Sequence, residues 1–259
     1  MTVTIDIADG LATLTLARAQ ANNALDAATK VAFLDAVAAA ADDSSVRAVL
    51  LTAEGRNFCV GQDLAEHLIA LESDPATAMN TVAEHYNPLV RALAALRVPV
   101  VSAIPGACVG AGWGLALATD IRIAGGKTSF ATAFSGIALA SDSGLSYSLV
   151  QRLGADRARA LLLLGEKIGA QQALDWGLVH RVVDDEDVVD VAREIARALS
   201  EGPTAAYREI KSLVAASADG LDAALDRELD AQVRLGAGAD HRAAVSAFVA
   251  KDKPVFIGS

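Results

Sequence analysis

Apolar and polar positions alternate twice at the start of the chain, in Val3-Thr4-Ile5-Asp6-Ile7 and in Leu11-Ala12-Thr13-Leu14-Thr15-Leu16, with Ala8-Asp9-Gly10 between them. Two period-two runs joined by a short turn predict a β-hairpin. The period then lengthens. Asp26 precedes an Ala-rich amphipathic segment reaching about Ala41, and residues 46–52, with Ala48-Val49-Leu50-Leu51 at their centre, read as a buried strand. The cycle repeats with a helix over residues 76–96, a strand over 98–104, a Gly-rich loop, a helix through 115–117 and a strand over 120–123. Such alternation predicts an α/β chain with largely parallel strands.

From Asp142 onward the strand signal is confined to residues 179–183, and helical segments continue to Lys251. The expected organisation is an α/β core over residues 1–200 and a helical region over 201–259. Gly202-Pro203 marks only a helix break, and no low-complexity linker or charge block separates the two parts. The tail is therefore expected to pack on a core or on a neighbouring subunit.

With 53% hydrophobic residues, 259 positions suffice for a sizeable core. Aromatics make up only 4% and the formal net charge is -10, so nucleic acid is a poor partner: few rings can stack on bases and no cationic face meets phosphate. Any anionic ligand has to be held by local groups. Cys59 and Cys108 lie beside Gly-rich segments and no export signal opens the sequence, which predicts a reduced, cytoplasmic setting. No apolar run reaches membrane-spanning length uninterrupted, so a soluble protein is expected.

Three loops concentrate unusual residues: 55–64, 105–114 and 140–144. The first two follow apolar strands and open helices, where small residues leave backbone N–H groups free and outward-pointing. Two such loops can aim paired donors at one oxygen; the plainer reading is that their glycines only permit tight turns. Other motifs fail on spacing. Gly110 and Gly112 are followed by Leu115 where a dinucleotide fingerprint needs its third glycine. Gly126-Lys127-Thr128 ends like a phosphate loop, yet Ile121 holds the place of its first glycine, and Gly144-Leu145-Ser146-Tyr147-Ser148 lacks the closing glycine of a nucleophile elbow. His67, His85, His180 and His241 show no metal-ligand spacing, so no metal is expected. His67 follows the first loop and is the histidine placed best to touch a substrate.

Taken together, these segments resemble the enoyl-CoA hydratase/isomerase, or crotonase, superfamily, from the N-terminal hairpin to Phe256. Residues 16–25 resemble the family's Asn-Arg-Pro…Asn-Ala-Leu entry, with Ala17 and Ala19 departing from it. Phe58-Cys59-Val60-Gly61-Gln62-Asp63-Leu64 resembles its Phe-x-x-Gly-x-Asp-Leu loop, and Gly106 through Gly112 its second, Gly-rich loop. The resemblance implies a crotonase spiral of ββα units with a C-terminal helical region. It implies an acyl-CoA thioester as substrate, with coenzyme A part of that substrate and no separate cofactor. It further implies an oxyanion hole from the N–H groups of Val60 and Ala111, with Gly61, Gln62, Asp63, Leu64 and Gly110 around the substrate.

The family's two hydratase glutamates fall at Gly114 and Phe134, which transfer no protons, so two-glutamate hydration is disfavoured. Asp142 occupies the position from which isomerase and 4-chlorobenzoyl-CoA dehalogenase members present an aspartate, as base or as nucleophile. It could equally cap a helix starting near Ser143. Residues 85–91, 133–135, 162–167 and 182–186 resemble the ring-epoxide isomerases of phenylacetyl-CoA breakdown most closely. The dehalogenase branch shares the Asp142–Leu149 pattern but has Trp where Phe134 stands. By the same resemblance Arg18 contacts a CoA phosphate, and Phe248 and Lys251 reach the adenosine end from a neighbouring subunit of a homotrimer or homohexamer. Weak hydration through another group, and acyl-CoA binding without catalysis, remain the competing expectations.

Overall fold

A computed structural model describes residues 1–258, apart from the side chain of Asp219. The hairpin forms as the alternation predicts: β1 (Val3–Ala8) and β2 (Leu11–Leu16) pair antiparallel, with Asp9 and Gly10 both at positive φ in the turn. Helix α1 (Ala27–Asp42) starts at Asp26, whose carboxylate accepts from the Thr29 amide. Strand β3 (Ala48–Ala53) then pairs parallel with β2. After α2 (Leu64–Ser73) and α3 (Asn87–Ala95), β4 (Val100–Ile104) runs into β5 (Ala107–Val109) and α4 (Ala111–Leu117). Next, β6 (Ile121–Gly125) runs into β7 (Ser129–Ala131), followed by α5 (Leu145–Leu153) and α6 (Ala155–Leu164). Short β8 (Ile168–Gly169), α7 (Ala170–Asp175), β9 (Arg181–Val183) and α8 (Val188–Ser200) complete the layers.

The strands form a six-stranded sheet in the order β1-β2-β3-β4-β6-β9 and a three-stranded sheet in the order β5-β7-β8. Chain order explains the pair. β4 and β6 each enter the large sheet, and the strand that follows each, β5 or β7, enters the small one before the chain turns into helix. The result is a spiral of strand-strand-helix turns.

Strand β3 is buried along its whole length because both faces of the large sheet are covered. Val49 and Leu51 face Phe33, Val37, Leu89 and Leu93, whereas Ala48 and Leu50 face Val188, Ala192 and Ala196 of α8. Continuous apolar character in the sequence and two-sided burial in the structure are the same fact.

The helix expected over residues 76–96 begins instead near Asn80 and passes through a π-helical turn at Val82–Tyr86 before α3. Pro88 has no N–H to donate one turn back, and the widened turn ahead of it accommodates the gap. Helices α9 (Thr204–Ala215), α10 (Leu221–Gly236) and α11 (Ala239–Ala250) follow, and the C-terminal segment returns to the core. There Asp240 accepts from the Ile257 and Gly258 amides while Arg47 donates to the carbonyls of Gly202 and Phe256. No described helix is long and apolar enough to cross a membrane.

Candidate active site

The first two loops touch through backbone. The Phe58 amide donates to Pro105 O (2.7 Å), Cys59 N to Ala107 O (3.2 Å) and Val109 N to Cys59 O (2.9 Å), a parallel bridge of Cys59 with Cys108. Just beyond it, Gly61 takes φ +85° and its carbonyl accepts from Leu25 N. A Cβ on Gly61 would lie 3.1 Å from Val109 O and 3.4 Å from Ala111 N, and one on Gly112 would lie 2.6 Å from Cys59 O. These glycines are therefore needed for close approach, beyond turning the chain. Between the bridge at Cys59 and the bond to Gly61, the Val60 amide has no acceptor among the described residues. Neither has the amide of Ala111, the first residue of α4. The fold thus brings both N–H groups to the contact between the loops. The cysteines are free and buried, and burial pushes the Cys59 thiol up to about 12, so it is no nucleophile.

Asp142 stands beside α4. A Cβ on Gly114 would sit 2.5 Å from Ser143 O and 2.7 Å from Ser143 Cβ, so the missing side chain at 114 makes room for the 142–143 segment. Ser143, at φ +52°, donates through Oγ to Asp142 Oδ1 (2.8 Å). Helix α5 is preceded by Gly144, and Asp142 contributes its backbone carbonyl there, so its carboxylate is not the cap. Burial raises the Asp142 pKa above the usual carboxylate value, against the lowering influence of Ser143 and of the Lys30 charge. Phe134 is buried, its ring near 3.8 Å from where a Gly110 Cβ would project.

Arg18 and Asp63 buttress the first loop. Asp63 Oδ1 accepts from the Ala65 and Glu66 amides, capping α2, while Oδ2 takes Arg18 Nη1 at 2.6 Å. Arg18 also pairs with Asp26 at 3.3 Å and donates to Ala24 O. The Arg18 hydrogen bond, with those of the cap, holds the Asp63 carboxyl below the usual value. Leu64 opens α2 with its side chain exposed. Phe248, 85% exposed on α11, and Lys251 at its end make no side-chain hydrogen bond or ion pair with the loops among the described residues.

Gln62 is held differently. Its Oε1 accepts from Lys30 Nζ (3.1 Å) and from Tyr86 Oη (2.7 Å). Lys30 is 1% exposed, and its Nζ also donates to Thr81 Oγ1 at 2.6 Å. Lys30 is a functional residue that the Ala-rich composition of residues 27–41 does not single out. The signal was present: Lys30, Phe33, Val37 and Ala40 recur in helical phase, so the lysine lies on the buried stripe. His67 and His85 line a cavity of about 260 Å³ with Lys30, Gln62 and Thr81 and the carboxylates of Glu66, Asp74 and Glu84. Among the described residues, no group of three His, Cys, Asp or Glu side chains could hold a metal ion.

The sequence profile of the enoyl-CoA hydratase/isomerase family matches residues 6–259. The chain belongs to that family. It is 40% identical to the 1,2-epoxyphenylacetyl-CoA isomerase of Escherichia coli, with 96% of this chain and 95% of that protein covered. A Rhodobacter capsulatus protein assigned as an enoyl-CoA hydratase is 37% identical, with 99% and 98% covered. The crystal structure of a Mycobacterium abscessus protein assigned as an enoyl-CoA hydratase/isomerase superposes with a TM-score of 0.98 at 56% identity, covering 99% of this chain and 100% of that one. The spiral is accordingly the crotonase fold. As a family member the chain is an acyl-CoA enzyme, and its relatives carry both isomerase and hydratase names.

Proposed function

We propose that this enzyme isomerises an acyl-CoA thioester, shifting the double bond of an enoyl-CoA or rearranging a ring-epoxide of phenylacetyl-CoA, through an enolate held at Val60 and Ala111. Removing a proton from carbon conjugated with a thioester pushes negative charge onto the carbonyl oxygen. Two unpaired amides at that oxygen stabilise the transition state more than the ground state, each by about 3 kcal/mol. Asp142 takes the proton from one carbon and returns it to another. Its raised pKa suits a group that must both accept and release a proton.

The observation that carries this reading is the packing of Gly114 on Ser143: the site of one hydratase glutamate is filled by the segment that presents Asp142. Phe134, at the other glutamate position, is buried and has no proton to transfer. The 40% likeness to an epoxyphenylacetyl-CoA isomerase supports the same choice. Asp142→Asn is expected to lower kcat at least a thousandfold on enoyl-CoA or epoxyphenylacetyl-CoA while the CoA thioester still binds in calorimetry. Undiminished turnover would exclude Asp142, and 3-hydroxyacyl-CoA as the main product would make the enzyme a hydratase.

The assembly belongs to the same reading. Leu221, Leu225, Leu229 and Val233 recur every fourth residue on α10 and are all more than half exposed, an apolar stripe that a neighbouring subunit would cover. A trimer, or a dimer of trimers, would carry Phe248 and Lys251 to a neighbour's CoA, with Arg18 near its phosphate. Sedimentation of the purified protein as a monomer would remove this part.

A further inference from the structure

Burying an ammonium costs more than burying the methyl-bearing side chain that could replace it, and such a group is kept where it does something a hydrocarbon cannot. Lys30 is 1% exposed and satisfies its hydrogens on Thr81 Oγ1 and Gln62 Oε1, with Glu66 Oε1 at 4.0 Å and the Tyr86 ring centroid at 5.0 Å. Lysine only donates, so the Gln62 atom facing it is the carbonyl oxygen, and Tyr86 Oη donates to that same oxygen. The carboxamide can then point one way only. Its nitrogen, carrying two hydrogens, has no acceptor among the described residues.

Gln62 lies two residues beyond Val60, and both groups that clamp it, Lys30 and Tyr86, feel the charge of Asp142. The fixed amide donor thus sits on the same loop as the free Val60 amide, its side chain clamped by residues within the electrostatic reach of Asp142. It also borders the 260 Å³ cavity whose other walls include His67, Thr81 and His85 and the carboxylates of Glu66, Asp74 and Glu84. A hydrocarbon placed against the Gln62 nitrogen would leave its N–H groups unpaired, whereas an oxygen atom would accept from them.

We infer that Lys30 and Tyr86 are positioning residues that lock Gln62 as a hydrogen-bond donor to an oxygen on the acyl group, so that the enzyme selects oxygen-bearing acyl thioesters over plain hydrocarbon ones. This rests on the acyl-CoA isomerase reading above and adds the class of acyl group. The groups facing Lys30 are Gln62 and Glu66 around the first loop and α2, Asp26 at the start of its own helix, Thr81 with His85 and Tyr86 on the π-turn, and Asp142 across the site.

The test compares kcat/KM on epoxyphenylacetyl-CoA and on a straight-chain enoyl-CoA of equal length for the native enzyme and for Lys30→Met, Tyr86→Phe, Gln62→Met and Lys30→Met/Gln62→Met. Lys30→Met is expected to lower the preference for the oxygenated thioester about tenfold or more, and Tyr86→Phe, which keeps the ring, to lower it severalfold. Because Lys30 acts through Gln62, adding Lys30→Met to Gln62→Met should change the preference less than twofold further. Equal losses on both substrates, or additive losses in the double variant, would overturn the inference. A native enzyme that turns over neither thioester would instead overturn the isomerase reading. Should Lys30→Met fail to fold, the Tyr86→Phe and Gln62→Met preferences decide alone.

Discussion

Ser143 packs so closely on Gly114 that a Cβ at 114 would meet the Ser143 carbonyl oxygen at 2.5 Å. Alanine in a helix is normally better than glycine by about 1 kcal/mol. Here the atom in the way is backbone, and overpacking of that kind costs about 1–3 kcal/mol, so the clash wins. Gly114→Ala is expected to destabilise the protein by up to about 2 kcal/mol in urea unfolding. By pushing the 142–143 segment aside it should also lower kcat more than tenfold. A stabilised Gly114→Ala protein with native turnover would show that Asp142 does not depend on this contact.

The reach of the sequence can be judged at particular positions. The hairpin, the Asp26 cap and the two-sided burial of β3 were legible because each follows from periodicity or a single side-chain cap. Strands β5, β7 and β8, of three, three and two residues, were not, since so few positions cannot establish an alternation. The two glycine loops pointed to free amides, but their mutual contact depends on β3 and β4 lying side by side, a long-range fact. The Lys30–Gln62–Tyr86 cluster joins residues far apart in sequence through side-chain hydrogen bonds, and no local pattern encodes that.

The oxyanion role of Ala111 can be tested by deleting one N–H. Ala111 is the first residue of α4, where proline is tolerated because its amide has no partner in the helix. Gly110, at φ 55° and ψ -124°, already has the extended mirror-image conformation that glycine can hold before a proline. Ala111→Pro is expected to keep a native circular dichroism spectrum while kcat falls roughly a hundred- to a thousandfold. Native kcat in a folded Ala111→Pro enzyme would remove this amide from the mechanism.

Asp63 separates its two tasks by atom: Oδ1 caps α2 and Oδ2 holds Arg18. Asp63→Asn keeps an acceptor for the cap and loses the charge, so it should cost about 1 kcal/mol; Asp63→Ala loses both and should cost about 2–3 kcal/mol. The folded pKa of Asp63 is depressed, so its stabilisation is present above the ordinary carboxylate value and is lost as pH falls through the lower folded one. The Asn penalty should therefore fade in acid. Equal denaturation midpoints for the two variants at neutral pH would show that the cap contributes nothing.

Asp142 has the opposite sign. Its folded pKa lies above the unfolded value because burial penalises the charged form, so whatever stability its protonated form contributes is present in acid and is lost as pH rises through the folded pKa. Once ionised, the buried carboxylate is a burden on the fold, retained because only the ionised form can take a proton. Asp142→Asn should accordingly raise Tm at pH 7 while abolishing turnover, and the gain should shrink towards zero below the ordinary aspartate range. In the native enzyme, kcat/KM should lose its ionised base, and fall, at a pH above that at which an exposed aspartate titrates. A variant less stable than the native protein at pH 7, with the same deficit in acid, would mean that the carboxylate stabilises its surroundings and that its burial is structural.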